Sequence, residues 1–252
     1  MKNYTLQNSQ KSIHIVIFTG GLSPEPKITK NFWKTSIASK PDFVIAADSG
    51  LEECLKYKKY FFDQYDFNPS KILGDFDSLL KKDILKSFSN EIIQQFPCDK
   101  DFTDTELALH YAFYKAKTEN LKPTITLVGG DGGRLDHLLN IINTFRTKFK
   151  PDFWLCAFQQ VAFLQKGKKY LLKNLELSDN ISFANVFGKG NKIKTSGLQW
   201  ESKLFLKGNM PSISNRISYD FYKEGKPILI EPKTSGFLII YPYSAYLHLK
   251  ND

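Results

Sequence analysis

Five short apolar runs, at residues 14–18, 43–47, 71–73, 92–96 and 124–128, each end in a loop carrying glycine, aspartate or both. β-branched residues fill the first and the last, and short apolar runs closed by turn residues read as buried strands. Helical spacing follows some of the loops: Leu51, Cys54 and Leu55 within 51–60; Leu107, Leu109, Tyr111, Ala112 and Tyr114 within 105–117; and the stretch 136–147. Strand, loop and helix in alternation specify a mostly parallel, Rossmann-like α/β sheet. In such a sheet the strand C-termini share one edge, so acidic loops far apart in sequence can meet in one crevice. From Pro151 the helical period fades, and short segments at 154–158, 169–172, 181–185, 228–230 and 237–241 alternate with Gly, Asn, Pro and Ser turns. That texture predicts an antiparallel β-sandwich. The expected domains are therefore 1–150 (α/β) and 151–252 (sandwich).

Charge narrows the partners. The 252 residues hold 35 Lys+Arg against 26 Asp+Glu, a formal net charge of +9. The basic residues are scattered in ones and twos, as at Lys58-Lys59, Lys81-Lys82 and Lys168-Lys169, with no compact basic helix or RNA-binding aromatic signature. No nucleic-acid partner is expected. No apolar run approaches the roughly 18 residues of a membrane span, and residues 1–8 lack the apolar core of a leader, so no membrane and a cytoplasmic setting are expected. Cys54, Cys98 and Cys156 form no CxxC pair and read as free thiols in or near a core.

The loops carry the chemistry. Gly74-Asp75-Phe76-Asp77-Ser78 sets two carboxylates at i and i+2, on the same side if the segment is extended. Like charges so close call for a cation, and hard oxygen ligands suit magnesium. A solvated turn with Asp77 or Ser78 capping the next helix is the other reading. In Asp99-Lys100-Asp101-Phe102-Thr103-Asp104, Thr103 or Asp104 can cap the helix and Glu106 can serve its first turn. Capping does not need three aspartates; Asp104 could reach the same cation, and Lys100 a phosphate oxygen. Gly129-Gly130-Asp131-Gly132-Gly133-Arg134 strips side chains from a loop before a helix, so backbone N–H groups can approach an anion beside the forked Arg134 cation. It is neither a Walker A loop nor GxGxxG. Four scattered histidines oppose a zinc site or a Ser-His-Asp triad. Magnesium-dependent transfer of a phosphorus group remains.

Together with Ala47-Asp48-Ser49-Gly50 and Gly132-Gly133-Arg134-Leu135-Asp136-His137, these motifs resemble in order and spelling the signature set of the thiamine pyrophosphokinase family, over about residues 14–147 and more faintly beyond. The resemblance implies an α/β domain followed by a β-sandwich, and a homodimer with active sites at the subunit interface. It implies transfer of the terminal pyrophosphate of ATP to the hydroxyethyl group of thiamine, giving thiamine diphosphate and AMP. Asp75, Asp77 and Asp104 match the catalytic magnesium ligands, with Asp75 or Asp104 also open as the base for the thiamine hydroxyl. Thr19, Gly20, Asp48, Lys100, Thr103, Arg134 and Asp136 match ATP-binding positions. Ser196-Gly197-Leu198-Gln199-Trp200 and Ser212-Ile213-Ser214-Asn215 resemble thiamine-binding segments, giving Trp200, Ser212, Ser214 and Asn215 as candidates; Trp200 also reads as a core aromatic. On this basis 1–150 binds ATP and magnesium, and 151–252 binds thiamine and dimerises. The chain departs from the family pattern at Ser49, at Arg216, and in the spacing of the asparagine after His137, for which Asn140 and Asn143 are both counterparts. Two alternatives stay open: another alcohol as acceptor, such as a hydroxymethylpterin, and a nucleotide- or thiamine-binding module without turnover.

Overall fold

Strand β1 (Ser12–Phe18) is buried on both faces, and its two-residue period sorts its side chains between two layers. The computed structural model describes residues 11–37, 40–188, 192–201 and 211–250; residues 1–8, read above for a leader, lie outside these. Ile13, Ile15 and Ile17 pack with Ala108, Leu109, Ala112 and Ala116 of helix α3 (Asp104–Thr118). Val16 and Phe18 face the other way, onto a cluster formed by Phe32 of the short α1 (Lys30–Phe32), the adjoining Trp33, and Leu51, Cys54 and Tyr57 of α2 (Gly50–Tyr60). Helices on both faces make β1 a central strand, which explains its unbroken apolar run.

Parallel pairing extends both ways from β1. On one side lie β2 (Phe43–Ala47), β3 (Lys71–Gly74) and β4 (Ile93–Gln95); on the other, β5 (Lys122–Val128) and β6 (Phe153–Leu155). The sheet then continues antiparallel through β7 (Gln160–Leu164), β13 (Phe237–Tyr241), β9 (Ile181–Ala184) and β11 (Ser212–Asn215), ten strands in all. A second sheet of β10 (Ile193–Ser196), β12 (Ile228–Pro232), β8 (Tyr170–Lys173) and β14 (Tyr246–Leu249) packs on that antiparallel end. The expected fold class, a mostly parallel α/β sheet followed by an antiparallel sandwich, is the one observed. Backbone pairing runs across Pro151 without a break, since Thr126 of β5 faces Phe153 of β6. Strand β13 joins the two cores: Phe237, Ile239 and Tyr241 enter the sandwich, while Leu238 packs with the α3 layer.

Some elements had no sequence signal. β11 reads Ser-Ile-Ser-Asn with Ile213 73% exposed, so no apolar alternation marks it. α4 (Leu135–Thr144) is expected and present; α5 (Tyr219–Lys223) buries no residue and is not expected. Cys54 and Cys156 are buried, but Cys98 is exposed, against the expectation for all three thiols. It follows β4, a three-residue edge strand too short to carry its loop into the core. Among the described residues, no helix is long and apolar enough to cross a membrane.

His14 lies inside β1, 4% exposed, with Nε2 3.0 Å from Thr126 Oγ1 and Nδ1 without a partner. Burial lowers its pKa to about 4, against the opposing charge of Asp42. Below 6.5 the unfolded chain takes a proton that the folded imidazole refuses. The stabilisation is therefore complete above 6.5 and is lost as pH falls toward 4, by roughly 3 kcal/mol at most. Urea unfolding from pH 7 to 4 is expected to show this slope, and His14→Gln to flatten it; equal slopes would exclude His14 as its source.

Candidate active site

The direction of the chain reverses beside β1. From β1 it moves outward to β2, β3 and β4, then returns to β5 on the opposite flank, so the loops after β1 and β5 diverge and leave a crevice at the strand C-termini. Main-chain bonds join the two loops: Thr19 N donates to Val128 O at 3.0 Å, Leu22 N to Asp131 O at 2.7 Å and Asp131 N to Leu22 O at 3.1 Å. Here lies a cleft of about 340 Å³, lined by Thr19, Gly20, Asp48, Thr103, Asp104 and Arg134 among the candidates, and also by Ser49, Ser78, His137 and Asn140. Gly129, Gly130, Gly132 and Gly133 all have positive φ, a conformation that side chains resist, so the loop's backbone stays open to a ligand. Gly50 opens α2 hard against β1; a Cβ there would lie 2.3 Å from Phe18 O.

Three carboxylates from three elements converge at this edge. Oxygens of Asp48 (after β2), Asp75 (after β3) and Asp104 (first turn of α3) lie within 4.8 Å of one another. A second group is formed by Asp75, Asp77 and Cys98. Asp75 is thus common to both, while Asp77 is exposed and stands on its outer side. The Asp75–Asp77 segment is not extended: Phe76 has φ +62° and is buried, and Asp77 N donates to Asp75 Oδ1 at 3.3 Å, so a tight turn brings the carboxylates together.

Lys100 offsets the repulsion. Its Nζ donates to Asp75 Oδ2 at 2.6 Å and lies 3.3 Å from Asp104 Oδ1. Burial raises the Asp75 carboxyl, but the Lys100 hydrogen bond and charge reverse this and hold it below its usual value. Burial raises Asp48, with the Asp75 and Asp77 charges adding to it, and burial raises Asp104 against the pull of Lys100. Asp48 Oδ1 is buried without a hydrogen-bond partner, while the buried Asp104 Oδ1 has the Lys100 ammonium at 3.3 Å. A buried carboxylate oxygen left like that of Asp48 calls for a partner, and hard, converging oxygens fit a magnesium ion.

Helix capping accounts for part of the second motif. Thr103 Oγ1 accepts from Glu106 N at 3.3 Å, and Glu106 Oε2 accepts from Thr103 N at 2.9 Å, a capping box that anchors Asp104 at the helix start. Arg134 and Asp136 form an exposed two-point ion pair at the cleft mouth, Nε to Oδ1 3.2 Å and NH2 to Oδ2 2.6 Å, which holds Asp136 down at about 2.

Residues 34–156 match the family described as thiamin pyrophosphokinase, catalytic domain. These residues thus form a catalytic domain of the thiamin pyrophosphokinase family. Solved structures agree in fold. Thiamine pyrophosphokinase from Bacillus subtilis is 20% identical over 91% of this chain and 98% of its own, with a TM-score of 0.63. The Candida albicans thiamin pyrophosphokinase is 17% identical over 92% and 89%, with a TM-score of 0.61. The yeast enzyme is 17% identical over 94% and 88%, with a TM-score of 0.51. No curated protein matches the chain by sequence.

Outside this thiamin pyrophosphokinase catalytic domain, the candidates at 200–215 stand apart from the cleft. Ser212, Ser214 and Asn215 belong to β11, at the far edge of the ten-stranded sheet, seven strands from β2. At about 4.8 Å per strand this is on the order of 35 Å along the sheet. Asn215, 1% exposed, is spent internally: its Oδ1 accepts from Trp200 N and Arg216 N, and its Nδ2 donates to Trp200 O. It thereby holds the half-buried Trp200, whose ring lies 4.9 Å from the Arg216 guanidinium. Ser214 is exposed, with φ +56°, and Ser212 is half-buried. The family resemblance assigned Asp48 to the nucleotide alone; its place in the inner carboxylate trio has no local signal, because pairing of β2 with β3 creates it.

Proposed function

We propose that this chain is a magnesium-dependent thiamine pyrophosphokinase that converts ATP and thiamine to AMP and thiamine diphosphate. The observation that carries the reading is the inner trio, Asp48, Asp75 and Asp104, with a buried Asp48 oxygen that has no hydrogen-bond partner, beside a glycine loop at the strand-order reversal. Asp75 and Asp104 hold the ion with Asp48 or Asp77 completing the set, and the bound ion neutralises phosphate charge. Backbone N–H groups of residues 130–134 and the N-terminus of α4 receive the phosphates, and Arg134 and Lys100 pair with their oxygens. The thiamine hydroxyl oxygen bonds to the β-phosphorus, the bond to the bridging α–β oxygen breaks, AMP leaves with that oxygen, and the hydroxyl proton passes to a carboxylate, Asp75 or Asp104.

Thiamine is bound by Trp200, Ser212 and Ser214 of a second copy, in a homodimer whose 1–150 regions supply ATP and metal sites and whose 151–252 regions supply thiamine contacts. The separation of β11 from β2 supports this, since one chain does not bring the two halves together. So do the exposed apolar side chains at both: Ile213 on β11, and Leu80, Leu135 and Leu139 near the acidic loops and on α4, surfaces that a second copy would cover. The unpaired thiols suit a cytoplasmic setting.

Purified protein supplied with ATP, magnesium and thiamine is expected to form AMP and thiamine diphosphate in equal amounts, resolved by chromatography. ADP with thiamine monophosphate would refute pyrophosphoryl transfer. A hydroxymethylpterin consumed in preference to thiamine would move the acceptor, and a folded protein yielding no product would overturn the assignment.

A further inference from the structure

We propose that Asp131 is a positioning residue for the phosphates: its carboxylate fastens the back of the glycine loop to the turn between β6 and β7 and so holds the loop's N–H groups ready for an anion. The inference rests on the phosphate role given to this loop above and adds a residue to it. Gly129, Gly130, Gly132 and Gly133 leave the loop with more backbone freedom than any other wall of the cleft. A loose loop would have to be ordered by each incoming ligand, and that ordering is subtracted from affinity.

The loop is held on its outer side instead. Trp154 Nε1 donates to Gly129 O at 2.7 Å within the core, and Gly129 N donates to Leu155 O at 3.0 Å. These bonds fix the first glycine only. Further along, Asp131 Oδ2 accepts from Ala157 N at 3.1 Å. Gly130, Gly132 and Gly133 line the cleft and Asp131 does not, so a carboxylate that would repel phosphate is turned behind the loop. Its anchor is firm. Cys156 N donates to Gln159 O at 3.0 Å and closes the turn, while Cys156 O accepts from the buried Tyr243 Oη at 2.6 Å. Gln160 Nε2 then donates to Pro242 O at 2.8 Å and Ala245 O at 2.9 Å. The turn is thereby tied to the segment between β13 and β14, and the Asp131 carboxylate passes that restraint to the middle of the glycine loop.

The test separates the bond from the charge. Asp131→Ala removes both, whereas Asp131→Asn keeps an acceptor for Ala157 N and removes only the charge. In calorimetry with inorganic tripolyphosphate and magnesium, Asp131→Ala is expected to raise Kd about tenfold, the order of one charge-assisted hydrogen bond. Asp131→Asn should bind as tightly as the wild type or more so. The KM for ATP should follow the same pattern, with a smaller change in kcat, and adenosine binding should not respond. Asp131 is half-buried in a loop, so the fold should tolerate both changes. Amide hydrogen exchange at residues 129–134 of the ligand-free protein reads the brace directly: it should quicken about tenfold in Asp131→Ala and stay at the wild-type rate in Asp131→Asn. Wild-type tripolyphosphate affinity or wild-type exchange in Asp131→Ala would overturn the proposal. Equal losses in the two variants would also overturn it, by assigning the effect to the charge. Failure of the wild-type chain to bind tripolyphosphate would refute the phosphate site itself, with exchange still reporting whether Asp131 holds the loop.

Discussion

Asp75→Asn is expected to lower turnover by about 10²–10³-fold or more while the protein stays folded. Asp75 is the one carboxylate shared by the inner trio and the outer Asp75-Asp77-Cys98 group, and it is the closer partner of Lys100. Its amide analogue keeps the shape and removes the charge that faces the ion. Folding should survive, because Lys100 keeps Asp104 at 3.3 Å and the loss of a like charge relieves Asp48. Rates of product formation and far-ultraviolet circular dichroism decide it: wild-type kcat in the variant would remove Asp75 from the reacting centre. Asp77→Asn gives the comparison. The motif predicts near-complete loss there too, whereas Asp77 is exposed and outside the inner trio. Retained turnover in Asp77→Asn together with its loss in Asp48→Asn would assign the ion to Asp48, Asp75 and Asp104.

Two inactive variants are expected to restore activity when mixed. On the proposed dimer, Asp75→Asn would damage the metal half of a site, and Trp200→Ala, beside Asn215 of β11, the thiamine half, seven strands from β2 in the same chain. In a dimer with shared sites, a mixed pair carries one site with both halves intact and one with both damaged. Random exchange of equal amounts makes about half the dimers mixed, so about a quarter of wild-type activity should return. No recovery after verified subunit exchange would place each site within a single chain. Titration of one variant into the other, monitored by product formation, gives the same ratio independently.

Strands β1 to β5, their loops and helices α2, α3 and α4 were legible because each motif is local, whereas α1 carried no signal that was read. A short apolar run, a glycine or aspartate at its end and a helical repeat are properties of adjacent residues, and β1, β2, β3 and β5 form where these signals lie. The capping box at Thr103 and Glu106 was likewise readable, since both partners fall within one turn. β11 was not readable as a strand, because an edge strand with an exposed Ile213 needs no apolar alternation. The exposure of Cys98 was also hidden, being set by the short edge strand before it.

By itself the sequence determined the alternation of strands and helices in the α/β half, the fold class, the glycine loop and the inventory of carboxylates, all of which follow from spacing along the chain. Only the tertiary structure decided which carboxylates meet. Asp48, Asp75 and Asp104 become neighbours because β2 and β3 pair in parallel and α3 starts beside them. It also placed Asn215 in a clamp on Trp200, and β11 at the far edge of the sheet from the cleft. The physical reason is that hydrogen-bonded pairing sets distances across a sheet, and residue spacing alone does not encode strand order.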